Sequence, residues 1–337
     1  MPEYSNKLLA IARETQASES QLPLMAQTSG SQFLLQPNSD KVCLFFHGFT
    51  ATPEQFAIIG KAFYRAGYHV LIPLLPGHGI AGEWNGDNPP PLPEDKQVYQ
   101  NFGLHWLETA RTLGKKIIIG GLSGGSTLAA WLALEHPEQI DKALIFAPYL
   151  SGSNKVVDLF VRIFDIYFEW RHDPQVISFG YDGFVMPALR VFLDMGAEIL
   201  AKVKNEKAQN QKAAPMLIVS SESDRAVGNR EHEKLFNAVI QFQPKSWYIC
   251  FDDVLDIPHN MMTQAEGNEH VDLLISLALA YANSNVYWEE MVALSDRIEH
   301  GDAFETAIEK LELYGRIAPE MAAMMRIIDA SIEALQD

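Results

Sequence analysis

The stretch KIIIGGLSGG, residues 116–125, decides the fold of this chain. Its first half is apolar and mostly β-branched, as in a buried strand, and a helical pattern follows it. Residues 121–125 spell G-x-S-x-G, the sharp strand-to-helix turn that exposes a serine at the carboxyl end of a strand. Ser123 is therefore the candidate nucleophile. The alternative interpretation is a glycine-rich turn with a capping serine.

Short apolar runs alternate with amphipathic stretches on both sides of this turn. Alternating strands and helices predict a mostly parallel sheet covered on both faces, so the fold class is α/β. The predicted strands are residues 42–46, 69–73, 116–120, 142–146, 216–220 and 247–251. The predicted helices include 52–66, with Thr52 as its N-cap, 99–113, 123–135, 230–241 and, as the last helix of the core, 263–282.

Composition and charge exclude several classes of function. The 337 residues are 47% hydrophobic and 20% charged, which is typical of a globular protein. A net charge of −17 repels phosphate backbones, so nucleic acid is excluded as a partner. No apolar run reaches the roughly 18 residues of a transmembrane helix, and residues 1–15 lack the basic start of a signal peptide.

The two cysteines, Cys43 and Cys250, are too few for a disulfide framework or a four-ligand zinc site. Both fall in apolar strands, and we predict that they are reduced. No metal site is predicted, and the expected compartment is the cytoplasm.

A serine hydroxyl needs a base to become a nucleophile, and the base needs an acid to orient it. Four histidines follow Ser123 beyond the long insertion: His232, His259, His270 and His300. His259 lies in the loop after the last predicted strand, where a base would meet the serine. His232 and His270 fall on helical stretches, where a surface imidazole is expected, and His300 lies in the tail. His259 is the predicted base.

The predicted acid is Asp224, four residues beyond the strand 216–220. Glu222 in the same loop is the first alternative, and Asp252 and Asp253 near the last strand are more remote ones. Each of these carboxylates has an alternative interpretation as a solvated loop residue.

Two backbone N–H groups are predicted to bind the oxyanion that forms when the serine attacks a carbonyl. One belongs to Gly124, which follows the nucleophile. The other belongs to Phe49, in the loop His47-Gly48-Phe49-Thr50 after the strand 42–46. His47 precedes the serine beside this loop, and we interpret it as structural.

Three segments lie outside the regular strand–helix alternation. Residues 1–31 are polar and weakly patterned, and residues 149–211 form a long aromatic-rich insertion in the core, which spans 32–283. Residues 284–337 show apolar residues at helical spacing, with breaks at Gly301-Asp302, where the aspartate can cap, and at Gly315. These helices are predicted to pack on the core or on a second copy of the chain, giving a possible homodimer.

Five stretches together resemble the α/β-hydrolase superfamily, and within it bacterial carboxylesterases and monoacylglycerol lipases, a branch that also holds serine aminopeptidases. They are His47-Gly48-Phe49, Leu75-Pro76-Gly77-His78-Gly79, residues 121–125, Asp224-Arg225-Ala226-Val227 and His259. The resemblance implies an eight-stranded, mostly parallel sheet, a cap after the sixth strand, formed by residues 149–211, and no cofactor. The strand order of the family also implies that Cys43 and Cys250 lie far apart. Gly124 departs from the bulky residue often found after the nucleophile, and the tail has no counterpart in compact members.

The predicted activity is hydrolysis of a small neutral ester through an acyl-enzyme on Ser123. A serine peptidase would need an anchor for a peptide amine, for which Glu169 and Asp173 are candidates. A thioesterase for an acyl-carrier substrate would need a basic patch, which the net charge disfavours. A non-catalytic binding module on the same fold is the remaining alternative.

Overall fold

The computed structural model describes residues 2–170, 176–204 and 211–336 of the chain. Asp173, one of the two candidate amine anchors, lies outside the described residues. The strands are β1 (Gln32–Leu34), β2 (Lys41–Phe46), β3 (His69–Ile72), β4 (Lys116–Leu122), β5 (Lys142–Phe146), β6 (Tyr167–Glu169), β7 (Gly183–Val185), β8 (Met216–Ser221) and β9 (Trp247–Phe251). The helices are α1 (Pro2–Glu19), α2 (Ala57–Arg65), α3 (Lys96–Leu113), α4 (Gly124–Glu135), α5 (Lys155–Ile163), α6 (Met186–Val203), α7 (Asn229–Val239), α8 (Val271–Asn283), α9 (Trp288–Glu299), α10 (Phe304–Lys310) and α11 (Pro319–Gln336).

A central sheet with the strand order β1-β3-β2-β4-β5-β8-β9 organises the core. All of its neighbouring strands pair in parallel except β1, which pairs antiparallel with β3. The middle strands β4 and β5 are buried apart from their first residues, because helices cover both faces. The carboxyl ends of the parallel strands meet at one edge, and the loops that leave this edge carry the predicted site residues.

The predicted α/β class and the six predicted strands are confirmed, but the strand count differs from the implied eight. Within the described residues the central sheet has seven strands. The residues before β1 form α1 and a short 3₁₀ turn, Gln27–Ser29, so no further strand pairs at that edge. For the same reason the insertion follows the fifth strand of this sheet rather than the sixth.

The insertion between β5 and β8 contains α5, the small antiparallel pair β6–β7, and α6. We call residues 149–211 the cap and keep these bounds as a proposal. The long helix α6 packs on α4, the helix that follows Ser123, and thereby joins the cap to the core.

Two helices begin differently from the prediction. The helical stretch at 52–66 opens with a 3₁₀ turn, Pro53–Phe56, and the Thr52 side chain does not cap it. The last core helix begins at Val271 rather than at 263. A separate 3₁₀ turn, Gln264–Glu266, stands in its place and ends at Gly267, whose φ of 100° is left-handed.

The tail forms the three predicted helices α9, α10 and α11, with Gly301 and Gly315 in left-handed conformations at the breaks. Asp302 does not cap α10; it pairs with Arg297 and Lys310 instead. The last helix, α11, packs against α8 of the same chain. The structure therefore shows packing on the core, and homodimerisation stays a prediction.

Deleting residues 284–337 is expected to destabilise the core, because it uncovers the apolar face of α8 beneath α11. The deletion also removes the hydrogen bond from Ala318 N–H to Ser284 Oγ (2.9 Å) and buried side chains such as Leu294, Leu313 and Met321. We expect the melting temperature to fall by about 3 °C or more, since a loss of about 2 kcal/mol gives a shift of about 3 °C at an unfolding entropy of about 2.1 cal/mol/K per residue. Calorimetry measures this shift, and light scattering on both proteins tests the dimer. A truncated protein with unchanged melting temperature, solution mass and solubility would show that the tail is dispensable.

Both cysteines are free, as predicted. Cys43 is buried on β2 and Cys250 is exposed on β9, with β4, β5 and β8 between the two strands. Four strand spacings of about 4.8 Å separate them, well beyond the reach of a disulfide.

Among the described residues, none of the helices has both the length and the apolar character needed to cross a membrane.

Candidate active site

Ser123 occupies the tight turn between β4 and α4. Its φ of 54° and ψ of −118° are unusual for a residue with a side chain, and only the flanking glycines make the turn possible. A Cβ on Gly121 would lie 2.4 Å from the carbonyl carbon of Gly125, and one on Gly125 would lie 2.2 Å from the carbonyl oxygen of Phe46. The turn leaves Ser123 partly exposed at the carboxyl edge of the sheet.

His259 and Asp224 form a hydrogen-bonded pair at the same edge. Nδ1 of His259 lies 2.7 Å from Oδ2 of Asp224, whose side chain is fully buried. The other carboxylate oxygen of Asp224 accepts hydrogen bonds from the N–H groups of Ala226 (2.7 Å) and Val227 (3.2 Å). Both oxygens are therefore held, and Nε2 of His259 is left to act on another group.

The charges of this pair shift both pKa values in the direction that a base needs. Burial disfavours the charged imidazole, but the Asp224 carboxylate and its hydrogen bond outweigh burial and raise the pKa of His259 above its usual value. Burial likewise opposes the Asp224 charge, but the charge and hydrogen bond of His259, with the two backbone N–H groups, lower the pKa of Asp224.

The alternative acids lie elsewhere in the loops. Glu222, Asp252 and Asp253 are exposed, and their carboxylates lie within 4.8 Å of one another. The structure therefore brings Asp224, not these residues, to His259. Exposed acidic groups of this kind are ordinary surface features.

The two predicted oxyanion donors are free to bind a ligand atom. Within the described part of the chain, the N–H groups of Phe49 and Gly124 make no hydrogen bond. Gly124 begins α4, so its N–H is one of the unsatisfied donors of a helix N-terminus. Phe49 lies in the loop directly after β2, the neighbour of β4 in the sheet.

Two buried histidines brace the Phe49 loop, which supports the structural interpretation of His47. Nε2 of His47 accepts from Leu75 N–H (3.0 Å), and Nε2 of His78 accepts from Thr50 N–H (3.1 Å). Burial lowers the pKa of His47 well below its usual value and that of His78 to about 4, so both rings remain neutral acceptors. The stretch 75–79 therefore serves to hold the loop that carries a proposed oxyanion donor.

A second pair of side chains, not predicted from the sequence, also holds this loop, and one of the two comes from a distant part of the chain. Gly48 N–H donates to Oε1 of Gln55 (2.8 Å), and Nε2 of Gln55 donates to the buried Glu266 (2.7 Å). Burial raises the pKa of Glu266 to about 7. Gln55 and Glu266 are 211 residues apart, and no local pattern in the sequence signals their contact.

His232 is not the surface imidazole that its helical position predicts. It is fully buried on α7, with Nδ1 2.8 Å from Ser220 Oγ and Nε2 2.7 Å from the carbonyl oxygen of Pro148. It thus ties β8 to the start of the cap. Next to it, Ser221 Oγ donates to the carbonyl oxygen of Ile257 (2.7 Å) and anchors the loop that carries His259.

Comparison with protein families matches residues 37–246 to the family described as serine aminopeptidase, S33. This match spans more than half of the chain and contains Ser123 and Asp224. His259 follows it.

One curated relative and two solved structures are similar to this chain. A thermostable monoacylglycerol lipase of Bacillus sp. (strain H-257) is 26% identical over 216 residues, which are 63% of this chain and 81% of the relative. A structure from a study of the metagenome-derived lipolytic enzymes LipS and LipT has a TM-score of 0.61 at 18% identity, over 76% of this chain and 98% of its own. A soluble variant of monoglyceride lipase from Saccharomyces cerevisiae, in complex with a substrate analogue, has a TM-score of 0.60 at 13% identity, over 75% of this chain and 90% of its own. These structures share the fold of this chain.

Proposed function

Because the chain belongs to the serine aminopeptidase, S33, family, within the α/β-hydrolases that resemble monoacylglycerol lipases, we propose that it hydrolyses neutral carboxylic esters through Ser123. The observation that carries the proposal is the 2.7 Å pair of His259 and Asp224 at the sheet edge where the strained Ser123 turn ends. Two free backbone N–H groups, on Phe49 and Gly124, complete the set of groups that acyl transfer needs.

In the proposed first half-reaction, Ser123 Oγ attacks the ester carbonyl carbon while Nε2 of His259 takes the hydroxyl proton. The carbonyl oxygen becomes an oxyanion, and the N–H groups of Phe49 and Gly124 bind it. Asp224 keeps the imidazole in the tautomer with the proton on Nδ1 and stabilises the imidazolium. The C–O bond then breaks, and the alcohol leaves with the proton from Nε2.

In the second half-reaction, water attacks the acyl-enzyme carbonyl and gives a proton to Nε2 of His259. The tetrahedral intermediate forms on the same two N–H groups. Its collapse breaks the bond to Ser123 Oγ, which regains the proton, and releases the carboxylic acid.

The cap favours an amphiphilic ester of the monoacylglycerol type over a small soluble one. Val156, Leu159 and Ile163 form one stripe on α5 and are 70%, 56% and 60% exposed. The basic residues beside the stripe are neutralised, since Arg162 pairs with Asp194 and Lys155 with Asp158 and Glu231. An exposed apolar stripe whose neighbouring basic residues Lys155 and Arg162 are paired suits the surface of an uncharged substrate aggregate.

The substitution Leu159→Glu is expected to slow hydrolysis of aggregated monoacylglycerol and leave hydrolysis of a soluble short-chain ester unchanged. Leu159 is 56% exposed and full burial of a leucine contributes about 1.5–3 kcal/mol, so losing the burial of its exposed part weakens surface binding by about fourfold to twentyfold. Val292→Glu on α9, a residue that is also half exposed, is the matched control. Initial rates above and below the aggregation concentration measure the effect. Equal losses on both substrates would contradict the assignment of the stripe.

A substrate panel tests the proposed reaction and separates it from the alternatives. We expect purified protein to hydrolyse p-nitrophenyl butyrate and monoacylglycerols, and to leave amino-acid p-nitroanilides and acyl thioesters nearly untouched. The family description favours a peptidase as the second candidate. Of its two candidate anchors, Glu169 is exposed on β6. Faster turnover of an amino-acid p-nitroanilide than of any ester would replace the ester proposal by the peptidase.

A further inference from the structure

Gly124 leaves a space beside the nucleophile that a ring from the cap fills. A Cβ on Gly124 would lie 3.1 Å from Cδ1 and Cε1 of Phe192, and 3.2 Å from Cγ. Phe192 lies in the middle of α6 and is fully buried. Gly124 does not have a left-handed φ, so its glycine is not required by backbone conformation. A side chain at position 124 would instead require the buried ring to move by a few tenths of an ångström.

The same ring also contacts the second oxyanion loop. Its centroid lies 5.5 Å from that of Phe49, at an interplanar angle of 63°, and 4.7 Å from that of Tyr99. Phe49 in turn meets Phe184 of β7, at 5.0 Å. Phe192 is therefore a cap residue that lies against both Gly124 and Phe49, whose N–H groups are the proposed oxyanion donors.

We propose that Phe192 is a positioning residue for the oxyanion site, a role that rests on the proposed function of Phe49 and Gly124. The ring is wedged between the two donor segments and fixes their separation, so the cap takes part in catalysis as well as in covering the site. Hydrogen bonds to an oxyanion depend steeply on donor placement, and a misplacement of about 1 Å costs about 10²-fold in rate.

The wedge accounts for the departure at residue 124. Glycine stands where the family that the sequence resembles often has a bulky side chain, and a phenylalanine 68 positions later along the chain lies against that position. Residues 124 and 192 therefore share one space, so the size of one side chain limits the size of the other. Changing either alone misplaces the donors, and changing both in opposite directions restores part of the fit.

A double-mutant cycle with p-nitrophenyl butyrate as substrate tests the proposal. This ester is soluble, so its hydrolysis does not depend on binding of the cap surface to a substrate aggregate, and the rates report the effect of Phe192 on the oxyanion site. Phe192→Leu is expected to lower kcat by about 10- to 100-fold with little change in KM, because the oxyanion exists only during the reaction. Gly124→Ala is expected to lower kcat by a similar factor in the wild-type background. In the Phe192→Leu background the added methyl group has room, so Gly124→Ala is expected to cost less than about threefold.

Phe63→Leu is the matched control, because Phe63 is equally buried but packs on Phe45 and Tyr68 in the core. Melting temperatures of all variants show whether they fold. The proposal is overturned if Phe192→Leu changes kcat no more than Phe63→Leu, or if the effects at 124 and 192 simply multiply. Absence of ester hydrolysis by the wild-type protein would instead refute the proposed function, so the two failures are distinguishable.

Discussion

Replacing Ser123 by alanine is expected to abolish ester turnover and leave the fold intact. The loss should approach the roughly 10⁶-fold seen when the nucleophile of a serine protease triad is removed. Ser123 is partly exposed and its turn is set by the backbone and the flanking glycines, so removing Oγ takes little from the core. Initial rates on p-nitrophenyl butyrate and thermal melts of both proteins measure the two effects.

Ser126, in the first turn of the helix α4 that directly follows Ser123, offers a matched control. Its hydroxyl is buried and has no hydrogen-bond partner among the described residues, so Ser126→Ala removes an unsatisfied polar group. We expect Ser126→Ala to keep full activity and at least wild-type stability. A Ser123→Ala protein with residual turnover near the wild-type rate would refute the assignment of the nucleophile.

The second large effect is expected for Asp224→Asn. The amide can present its N–H₂ to Nδ1 of His259 and stabilise the wrong tautomer, which costs about 10⁴-fold in kcat in the best-studied triad. The fold should survive, because an asparagine oxygen can still accept from Ala226 and Val227. Glu222→Gln in the same exposed loop is the control and should retain activity. If Glu222→Gln removes activity and Asp224→Asn does not, the acid is Glu222.

The pH dependence of kcat/KM gives a second readout of the same pair. His259 must be neutral to act as base, so activity is expected to rise with pH through its pKa. Although burial opposes the charged form, Asp224 raises the pKa of His259, and the wild-type inflection should lie above the usual 6.5 of histidine. Loss of the Asp224 charge leaves only the weaker effect of the Glu266 carboxylate against burial, so the pKa of His259 falls and the inflection should move to lower pH in Asp224→Asn. An unchanged inflection would show that Asp224 does not control the base.

The strands and the sharp turn at Ser123 were predictable because each is encoded by residues close together in the sequence. A buried parallel strand is a run of apolar residues, and the strained turn at Ser123 requires glycines at fixed positions beside it. The positions of Asp224 and His259 followed from chain order and from loops that leave the carboxyl edge of the sheet. The pairing of these two side chains is a feature of the structure, and their catalytic roles remain a proposal.

Features that depend on contacts between distant segments were not predictable from local patterns. His232 falls on a helical stretch, where a surface imidazole is expected, yet it is fully buried and contacts the carbonyl oxygen of Pro148, just before the cap. Gln55 and Glu266 meet only because their loops converge beside Gly48. The sequence shows that residue 124 has no side chain. That Phe192 lies against this position is visible only once α6 is packed on α4.

Labelling with a fluorophosphonate tests the central claim most directly, because the reagent requires an activated serine and an oxyanion site together. Ser123 Oγ is expected to displace fluoride from phosphorus, and intact-mass measurement should show one adduct per chain. Peptide mapping should place that adduct on Ser123, and Ser123→Ala protein should remain unlabelled. An adduct on another residue, or undiminished labelling of Ser123→Ala, would contradict the assignment of this chain as a serine hydrolase acting through Ser123.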